Sequence, residues 1–360
     1  MNEIRYQKQI RLKSFGKKSQ EKLAASSVLI IGAGGLGTPV AQYLNGVGVG
    51  TLAIMDQDTV AESNLARQTL FTPDDVGKHK TDVLIQHLRR QNPSTRFINI
   101  REFLTPENAL QELADYDLIV DASDNFGTRY LVNDACVILD KPFIYGALHD
   151  FEGQVSVMNY QNGPTYRCLF PEAGDTSAVL NCDENGVLGI LPALIGTYQA
   201  LEAVKVLTGI GEPLSGKLLI IDTLAQTHLK VGLSTVPENQ SITTLNSSYG
   251  QPMCSTDTAV TSLTCEEFWT KRETDRQSQV IDVRNEGEFD SGHLENALNI
   301  PLAQLTERHQ EINEKAPVIL ICQSGMRSLQ AAQLLQSLHP EQIIYNLEGG
   351  MNALEAEGWE

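Results

Sequence analysis

The sequence predicts an α/β protein of two domains. Two short turns, GAGGLG at 32–37 and CQSGMR at 322–327, each follow a buried apolar strand and precede a helical pattern. Strand–turn–helix units of this kind build parallel sheets. A chain of 360 residues is also long for one domain, so we expect one sheet around each turn.

The sequence of the first domain predicts alternating strands and helices. SSVLIIGAGGLGTPVAQYLNGVGVGTLAIMDQD reads as strand, glycine turn, helix and strand. The pattern continues with a helix over Lys80–Gln91, the strand RFINI, a helix near 106–113, and the strands DLIVDAS and KPFIYGAL. GQVSVMNY alternates between apolar and polar residues, which predicts an antiparallel strand and therefore a mixed sheet. LPALIGTYQALEAVKVLTG predicts a core or interface helix, and KLLIIDTL a further buried strand.

The composition becomes polar from Val236, where VPENQSITTLNSSYGQPMCSTDTA is rich in Ser, Thr and Asn. We therefore predict a first domain over 1–240, a linker over 241–258 and a second domain over 259–360. The second domain reads as a small α/β unit. Its predicted elements are a helix near 264–276, the strands QVIDVR and ALNIP, a helix near 302–313, the strand VILIC, the helix RSLQAAQLLQSL and the strand IIYNL.

Composition excludes several classes of protein. A formal charge of −18 argues against nucleic-acid binding. No apolar run approaches the length of a membrane span, and MNEIRYQKQI lacks the apolar core of a signal peptide, so we expect a cytoplasmic protein. The six cysteines are widely spaced, which argues against a disulfide framework. Residues 1–22 carry seven Lys or Arg, and composition leaves open an anion-binding arm or a solvated helix face.

The glycine turn predicts a nucleotide site. Gly32, Gly34 and Gly37, with Gly35 between them, fit G-x-G-x-x-G, which lets backbone approach a phosphate at a helix N-terminus. Asp56 ends the next strand, where it can bond a ribose hydroxyl. Taken alone, this motif is typical of NAD or FAD enzymes.

Residues further along favour a triphosphate instead. Asn64, Arg67 and Gln68 follow Asp56 within SNLARQ, and Lys80 begins a helix in VGKHK. DASDN places Asp121 and Asp124 at the end of a strand, the ligand edge of such a sheet. Two cations can neutralise phosphate charge and a carboxylate can hold Mg²⁺, whereas hydride transfer needs none of these groups.

Residues 3 to about 235 resemble the MoeB/ThiF group, the prokaryotic relatives of ubiquitin-activating enzymes. The stretches that carry the resemblance are RYQKQI, GAGGLG, MDQDTV, SNLARQ, VGKHK, DASDN and CLFPE…CDENGVLG. The resemblance implies ATP-dependent adenylation of the C-terminal glycine of a MoaD- or ThiS-type sulfur carrier. It also implies that Asp56 binds the ribose, that Arg67 and Lys80 contact phosphates and that Asp124 serves Mg²⁺. A homodimer is implied, in which a basic side chain of one arm enters the partner's ATP site.

Two departures from the family pattern bear on function. Lys8 stands where the arm normally has a second arginine, which keeps the charge but loses the planar fork. The family's zinc-binding CxxC pairs are also lost, because the first reads TYRC, with Thr165 before Cys168, and the second is absent. Structural zinc needs four ligands, so we predict no zinc site. At Cys182 the resemblance implies a covalent link to the carrier or the receipt of sulfur, and a partly buried, inert thiol is the alternative.

The second turn predicts nucleophilic cysteine chemistry. Cys322, Gln323, Ser324, Gly325, Met326 and Arg327 form a six-residue loop between a buried strand and a helix. Inward N–H groups and the helix dipole can stabilise a thiolate or persulfide anion on Cys322. Arg327 can either brace the loop or meet an anionic sulfur donor.

Residues from about 258 to 360 resemble a rhodanese domain through VIDVRNEGEFDSGHLENALNIPL, CQSGMRS and NLEGGMNAL. The resemblance implies a persulfide on Cys322, with Asp282 and Arg284 in structural roles. The combined expectation is adenylation of a carrier ending in Gly-Gly, followed by sulfur transfer that gives a thiocarboxylate, in molybdopterin, thiamine or tRNA-thiolation pathways. A cysteine desulfurase or thiosulfate is the expected sulfur source. The alternatives are an NAD-dependent oxidoreductase, a non-catalytic regulatory module fused to a sulfurtransferase, and adenylation of an RNA-linked carboxylate.

Overall fold

The computed structural model describes residues 3–171, 187–249, 260–275, 277–339, 342–356 and 358. The chain divides into two compact units, Met1–Gln251 and Pro252–Glu360.

Eight strands form a single mixed sheet in the first unit. They are β1 (Ser27–Ile31), β2 (Thr51–Met55), β3 (Arg96–Ile100), β4 (Leu118–Asp121), β5 (Phe143–His149), β6 (Glu152–Met158), β7 (Lys217–Asp222) and β8 (Thr227–Gly232). Their order is β3-β2-β1-β4-β5-β6-β7-β8. The pairs from β3 to β5 are parallel, and those from β5 to β8 are antiparallel, which confirms the predicted mixed sheet.

Eight helices belong to the described part of the first unit. They are α1 (Glu3–Ile10), α2 (Gly16–Ala25), α3 (Gly37–Val47), α4 (Lys80–Gln91), α5 (Ala109–Ala114), α6 (Phe126–Ile138), α7 (Tyr166–Leu169) and α8 (Ile190–Thr208).

Strand β1 contributes to a separate hydrophobic core on each face of the sheet. Val28 and Ile30 belong to one cluster, together with apolar residues of α3, α4 and α8. Leu29 and Ile31 belong to the other cluster, with residues of α5 and α6. Successive side chains of a strand point to opposite faces, so a strand covered by helices on both sides must be apolar throughout. This explains why VLII shows no alternation.

Helix α8 is apolar enough, by length and composition, to cross a membrane, with 19 residues and a mean hydropathy of 1.3. It packs against α3, β5 and β6, and 44% of the residues in its most apolar window are buried. Those contacts make it a core helix of the first unit.

The predicted linker begins with a segment that packs onto the first unit. Leu245 and Tyr249 contact the core cluster around α6. The Tyr249 hydroxyl also donates to Asp134 Oδ2 at 2.8 Å. Residues 241–249 are therefore part of the first unit's packing, and 250–258 lie outside the described residues.

Five parallel strands form the sheet of the second unit. They are β9 (Thr261–Leu263), β10 (Gln279–Asp282), β11 (Ala297–Asn299), β12 (Val318–Ile321) and β13 (Ile344–Leu347), in the order β11-β10-β12-β13-β9. The accompanying helices are α9 (Cys265–Thr274), α10 (Glu286–Asp290), α11 (Leu305–Arg308), α12 (Met326–Leu338) and α13 (Gly350–Ala356).

The helix predicted near 302–313 is wrong as a continuous element. Only Leu305–Arg308 is α-helical, and 3₁₀ turns lie on either side, at Leu302–Gln304 and His309–Glu311. Ile312 then takes an extended backbone and is only 3% exposed. Burying this side chain requires the chain to leave the helix before Asn313.

Candidate functional site

The glycine turn between β1 and α3 is closely packed at three of its glycines. Gly32 has a φ of +99°, and a Cβ there would lie 2.7 Å from Ala122 O. A Cβ at Gly37 would overlap the carbonyl oxygen of Gly32. A Cβ at Gly35 would lie 2.9 Å from Pro192 Cβ, at the start of α8. These positions therefore fix the path of the turn.

Gly34 differs, because a Cβ there would meet only Gln68 Nε2, at 3.7 Å. Gln68 is 3% exposed, and its Oε1 has no hydrogen-bond partner among the described residues. The Asn64 carbonyl accepts from Gln68 N at 2.9 Å, and Arg67 Nη1 donates to Ser63 O at 3.0 Å. An unpaired buried amide oxygen is costly, so the open side of the turn fits a polar ligand.

Asp56 follows β2 and contacts the glycine turn directly. Its Oδ2 accepts from Ala33 N at 2.7 Å, and its Oδ1 accepts from Asp58 N at 2.8 Å. Burial raises the pKa of Asp56, and the Lys80 charge and the two backbone N–H groups partly offset that effect. A buried acceptor that faces the turn is well suited to ribose hydroxyls.

Lys80 lies at the start of α4 and is 7% exposed. Its Nζ pairs with Asp58 Oδ2 at 2.8 Å, and the Asp58 side chain is 52% exposed. Asp58 was not predicted as a site residue. The signal was its position two residues after Asp56 in MDQD, near enough to share the edge of the same strand.

The end of β4 supplies the acidic edge of the site. Asp121 is buried and accepts from Ser123 N at 3.0 Å and Ser123 Oγ at 2.6 Å. Burial raises the pKa of Asp121. Asp124 is exposed, and Asn125 caps α6 by accepting from Thr128 N at 2.8 Å. Since β1 pairs with both β2 and β4, the glycine turn, Asp56 and Asp124 follow adjacent strands of one sheet.

Within the described residues, no group of three or more His, Cys, Asp or Glu side chains could hold a metal ion. Asp124 follows β4 three residues after Asp121, whose carboxylate is bonded to Ser123. Gln199 of α8, which sequence reasoning missed, is fully buried, and its Nε2 donates to Asp121 O at 2.6 Å. It ties α8 to the same strand end.

Lys8 and Cys182 are the remaining predicted residues of the first unit. Lys8 is exposed on α1, and neighbouring residues of that helix contact the rest of the first unit: Arg5 Nη1 donates to Gln91 O, Asn92 Nδ2 donates to the Tyr6 hydroxyl and Gln9 Nε2 donates to Val47 O. Cys182 lies outside the described residues.

Cys168 lies where the resemblance would place a zinc ligand, and four donors surround its sulfur. Thr165 N and Thr165 Oγ1 lie 3.4 Å from Sγ, Val236 N 3.3 Å and Asn239 Nδ2 3.7 Å. Burial raises the pKa of the Cys168 thiol, but these hydrogen bonds outweigh it and leave the pKa below its ordinary value. The contacts link the start of α7 to the segment after β8.

The second candidate site is built around Cys322, at the end of β12. Gly325 N donates to Cys322 Sγ at 3.1 Å, and Ser328 Oγ lies 3.3 Å from it. Gly325 has a φ of +87°, and a Cβ there would lie 2.8 Å from Gly349 N. The loop therefore directs donors at the sulfur, which is the arrangement that stabilises an anionic sulfur atom.

The loop is fixed to the strand beside it and to the start of α13. Arg284 Nη2 pairs with Asp282 Oδ2 at 2.8 Å, and Arg284 Nη1 donates to Gln323 Oε1 at 3.1 Å. Gln323 Nε2 in turn donates to Asn352 Oδ1 at 2.6 Å. Met351 N donates to Cys322 O at 2.8 Å.

Arg327 makes a bidentate ion pair with Glu288 of α10, with both N···O distances 2.8 Å. The hydrogen-bonded pair with Arg327 is the main reason that the pKa of Glu288 lies below its ordinary value. Sequence reasoning missed Glu288, Ser328 and Asn352. Glu288 is 39 residues from its partner, and only the fold brings the two together.

The ThiF family model matches residues 6–241, and the rhodanese-like domain model matches residues 264–357. The chain belongs to the ThiF family. It is an enzyme of the adenylyltransferase and sulfurtransferase class, because ThiF-family relatives with these two activities in their names match along nearly its whole length.

Among the relatives of this ThiF-family chain is the sulfur carrier protein adenylyltransferase of Thermus thermophilus, 48% identical over 65% of this chain and 88% of that protein. The adenylyltransferase and sulfurtransferase MOCS3 of Aedes aegypti is 38% identical over 98% of this chain and 86% of that protein. The adenylyltransferase and sulfurtransferase MOCS3-1 of Zea mays is 36% identical over 92% of this chain and 77% of that protein.

Solved structures share the fold of the first unit. E. coli MccB with MccA-N7isoASN has a TM-score of 0.60 at 22% identity and covers 68% of this chain and 75% of its own. PaaA has a TM-score of 0.56 at 25% identity, and the match covers 65% of this chain and 74% of the PaaA chain.

Proposed function

We propose that this chain adenylates the C-terminal glycine of a ubiquitin-like sulfur carrier and converts it to a thiocarboxylate with sulfur from Cys322. One observation carries the proposal. The same chain has Asp56 and Lys80 at a sheet edge suited to a nucleotide, and a cysteine loop whose donors point at the sulfur of Cys322. Relatives named for sulfur-carrier adenylation and for sulfur transfer support it.

In the first step, the carrier carboxylate attacks the α-phosphorus of ATP and pyrophosphate leaves. Asp56 would hold the ribose, while Arg67, Lys80 and Gln68 would contact the phosphates. The glycine turn permits the backbone to approach them. Mg²⁺ held by Asp124 and the phosphates would neutralise charge on the leaving group. A tail ending in Gly-Gly suits this site, because a chain without side chains needs the least space to reach the α-phosphate.

In the second step, the persulfide anion of Cys322 attacks the acyl-adenylate carbonyl and AMP leaves, which gives an acyl disulfide. A thiolate then attacks Cys322 Sγ, releasing the carrier thiocarboxylate and leaving a disulfide that an external dithiol reduces. We propose Cys182 for that thiolate, or for a thioester with the carrier. The covalent connection between the two units raises the effective concentration of the persulfide near the adenylate.

The proposal extends to the assembly and setting of the enzyme. We propose a homodimer in which Lys8 of one protomer enters the ATP site of its partner. We also propose that the enzyme acts in the cytoplasm. The carrier belongs to a molybdopterin, thiamine or tRNA-thiolation pathway.

The test is to incubate the enzyme with ATP, Mg²⁺, a sulfur donor and a MoaD-type or ThiS-type carrier, and to weigh the carrier by mass spectrometry. We expect one carrier to exchange a carboxylate oxygen for sulfur. Cys322→Ala should yield no thiocarboxylate, and Cys136→Ala, which alters a buried thiol of α6, should serve as the matched control. Thiocarboxylate formation by the Cys322→Ala enzyme would contradict the proposed sulfur route.

A further inference from the structure

The start of helix α8 meets two segments of the candidate nucleotide site. A Cβ at Gly35, in the glycine turn, would lie 2.9 Å from Pro192 Cβ and 3.6 Å from Arg67 O. The glycine turn, the first turn of α8 and the segment that carries Arg67 therefore converge at one point of the first unit.

Gly189 makes the contact between the start of α8 and the segment of Arg67. Its backbone has a φ of −56° and a ψ of −18°, which any residue adopts. The reason for glycine here is therefore space. A Cβ at Gly189 would overlap the carbonyl oxygen of Ala66 and lie 3.3 Å from Arg67 Cα. The backbone of residues 66 and 67 lies directly against the helix start only because position 189 has no side chain.

The same short segment carries two of the groups that we assign to the phosphates. Arg67 N and Gln68 N both donate to Asn64 O, at 3.0 and 2.9 Å. The Gln68 side chain is 3% exposed and faces Gly34, where a Cβ would meet only Gln68 Nε2, at 3.7 Å. Because these residues form one hydrogen-bonded turn, a shift of Ala66 carries Arg67 and Gln68 with it.

Helix α8 is held against the sheet beyond its first turn. A Cβ at Gly196 would lie 2.5 Å from Leu36 O, so the helix packs on backbone atoms there. Gln199 Nε2 donates to Asp121 O at 2.6 Å. A methyl group added at the helix start would therefore be accommodated by movement of residues 66–68, which lie in a loop, and not by movement of the helix.

We propose that Gly189 and Pro192 are positioning residues, which hold Arg67, Gln68 and the glycine turn against the phosphates of the nucleotide. Neither residue touches the substrate. Gly189 acts by letting the segment of Arg67 approach α8, and Pro192 acts by packing on the turn at Gly35. This inference rests on the proposed binding of ATP at this edge of the sheet.

The test compares two ligands of the full-length enzyme by calorimetric titration in the presence of Mg²⁺. The first ligand is α,β-methylene-ATP, which carries the phosphates but cannot transfer AMP. The second is adenosine, which has no phosphate. Gly189→Ala should weaken binding of α,β-methylene-ATP by about tenfold, because binding groups that are displaced lose most of their contribution. Adenosine binding should change by less than about twofold, since Asp56 is not displaced.

A double-mutant cycle separates positioning from general damage to the fold. In an enzyme that carries both Arg67→Ala and Gln68→Ala, adding Gly189→Ala should weaken binding of α,β-methylene-ATP by less than about twofold more. The effect of Gly189→Ala disappears there because the groups that it displaces are already absent. A full tenfold loss in that background would mean that Gly189 acts through other groups, and would overturn the inference.

Gly153→Ala is the matched control. A Cβ at Gly153 would overlap the side chain of Ile195, so this variant adds the same methyl group against α8 but away from the segment of Arg67. We expect lower stability, with the ratio of the two affinities changed by less than about twofold. A ratio that falls as far as in Gly189→Ala would show that any packing change on α8 suffices.

Pro192→Ala decides the question if Gly189→Ala does not fold, because it removes a contact and adds no overlap. It should weaken binding of α,β-methylene-ATP by about threefold and leave adenosine binding unchanged. Equal losses for the two ligands, or wild-type affinity for both, would overturn the inference. Failure of the proposed function looks different, because the wild-type enzyme itself would then not bind α,β-methylene-ATP.

Discussion

The carboxylate of Asp58 determines where the Lys80 ammonium group lies. Lys80 is almost completely buried, and its Nζ lies 2.8 Å from Asp58 Oδ2. A buried ammonium group is costly without a partner. Asp58 therefore holds the charge at the edge of the sheet where we place the phosphates of ATP.

Replacing Asp58 by Asn should weaken adenylation without abolishing it. An ion pair with one exposed partner contributes roughly 1 kcal/mol, which corresponds to about a fivefold loss in kcat/KM for ATP. Steady-state ATP–pyrophosphate exchange measures this. Asp74→Asn, an exposed carboxylate in the same region, should leave exchange unchanged. Equal rates for Asp58→Asn and the wild type would remove Asp58 from the site.

The hydrogen bonds to Cys168 should make it more reactive than Cys136. The pKa of the Cys168 thiol is lowered, whereas burial holds the pKa of Cys136 well above the ordinary value. Thiolate is the reactive form, so Cys168 should reach its full alkylation rate at a lower pH than an ordinary cysteine does. Iodoacetamide labelling from pH 6 to 9, resolved by peptide mass spectrometry, tests this. Cys136 labelled as fast as Cys168 would contradict the assigned environments.

The turn between β1 and α3 depends on contacts between backbone atoms. Gly37 begins α3 against the Gly32 carbonyl, and Gly32 lies against Ala122 after β4. The helix can therefore start close to the sheet only because neither position has a side chain. The same turn brings Ala33 N within 2.7 Å of Asp56 Oδ2.

Gly37→Ala should abolish exchange and reduce the free energy of unfolding by about 3 kcal/mol or more, because overpacking against backbone has little room to relax. Gly46→Ala is the control within the same helix. A Cβ there would meet only Gln91 Nε2 at 3.9 Å, so the higher helix propensity of alanine should leave stability unchanged or raise it by up to about 1 kcal/mol. Urea denaturation measures both. A Gly37→Ala enzyme as stable as Gly46→Ala would contradict the described turn.

Elements with a strong local pattern could be predicted from the sequence. The α4 and β3 bounds, Lys80–Gln91 and Arg96–Ile100, agree with the prediction. Helix α6 was missed because ten of its thirteen residues are buried, which removes the amphipathic period on which such predictions depend. Strand β8 was missed for the opposite reason, since all of its residues are exposed and none is fixed by a core.

In the candidate sites, too, some residues could be predicted from the sequence and others could not. Glycine spacing and the nucleophilic cysteine are local features, so Gly32 and Cys322 could be found by eye. The pairs Arg327–Glu288 and Tyr249–Asp134 join residues 39 and 115 positions apart. Only the folded sheets bring these partners together, and no local pattern indicates which carboxylate an arginine will choose.

The whole chain combines two chemistries in separately folded units. The first unit extends past the predicted domain end, because Tyr249 is buried and bonded to Asp134. Residues 241–249 of the predicted 241–258 linker therefore belong to the packing of the first unit.

Tyr249→Phe tests that packing. Loss of the hydroxyl leaves the buried Asp134 Oδ2 with Arg167 alone, and we expect the free energy of unfolding to fall by about 1 to 2 kcal/mol. Thermal unfolding of the full-length chain measures the change. Tyr43→Phe, at a side chain 53% exposed, should have no effect. Identical melting of both variants and the wild type would mean that 241–249 is not held to the first unit.

The most direct test of the account is ATP–pyrophosphate exchange with MoaD-type and ThiS-type carriers added in turn. We expect exchange with one carrier, its loss in Asp124→Ala, and its retention in Cys322→Ala, because adenylation precedes sulfur transfer. Exchange lost equally in both variants would contradict the assignment of separate steps to the two sites. No exchange with any carrier ending in Gly-Gly would contradict carrier adenylation itself.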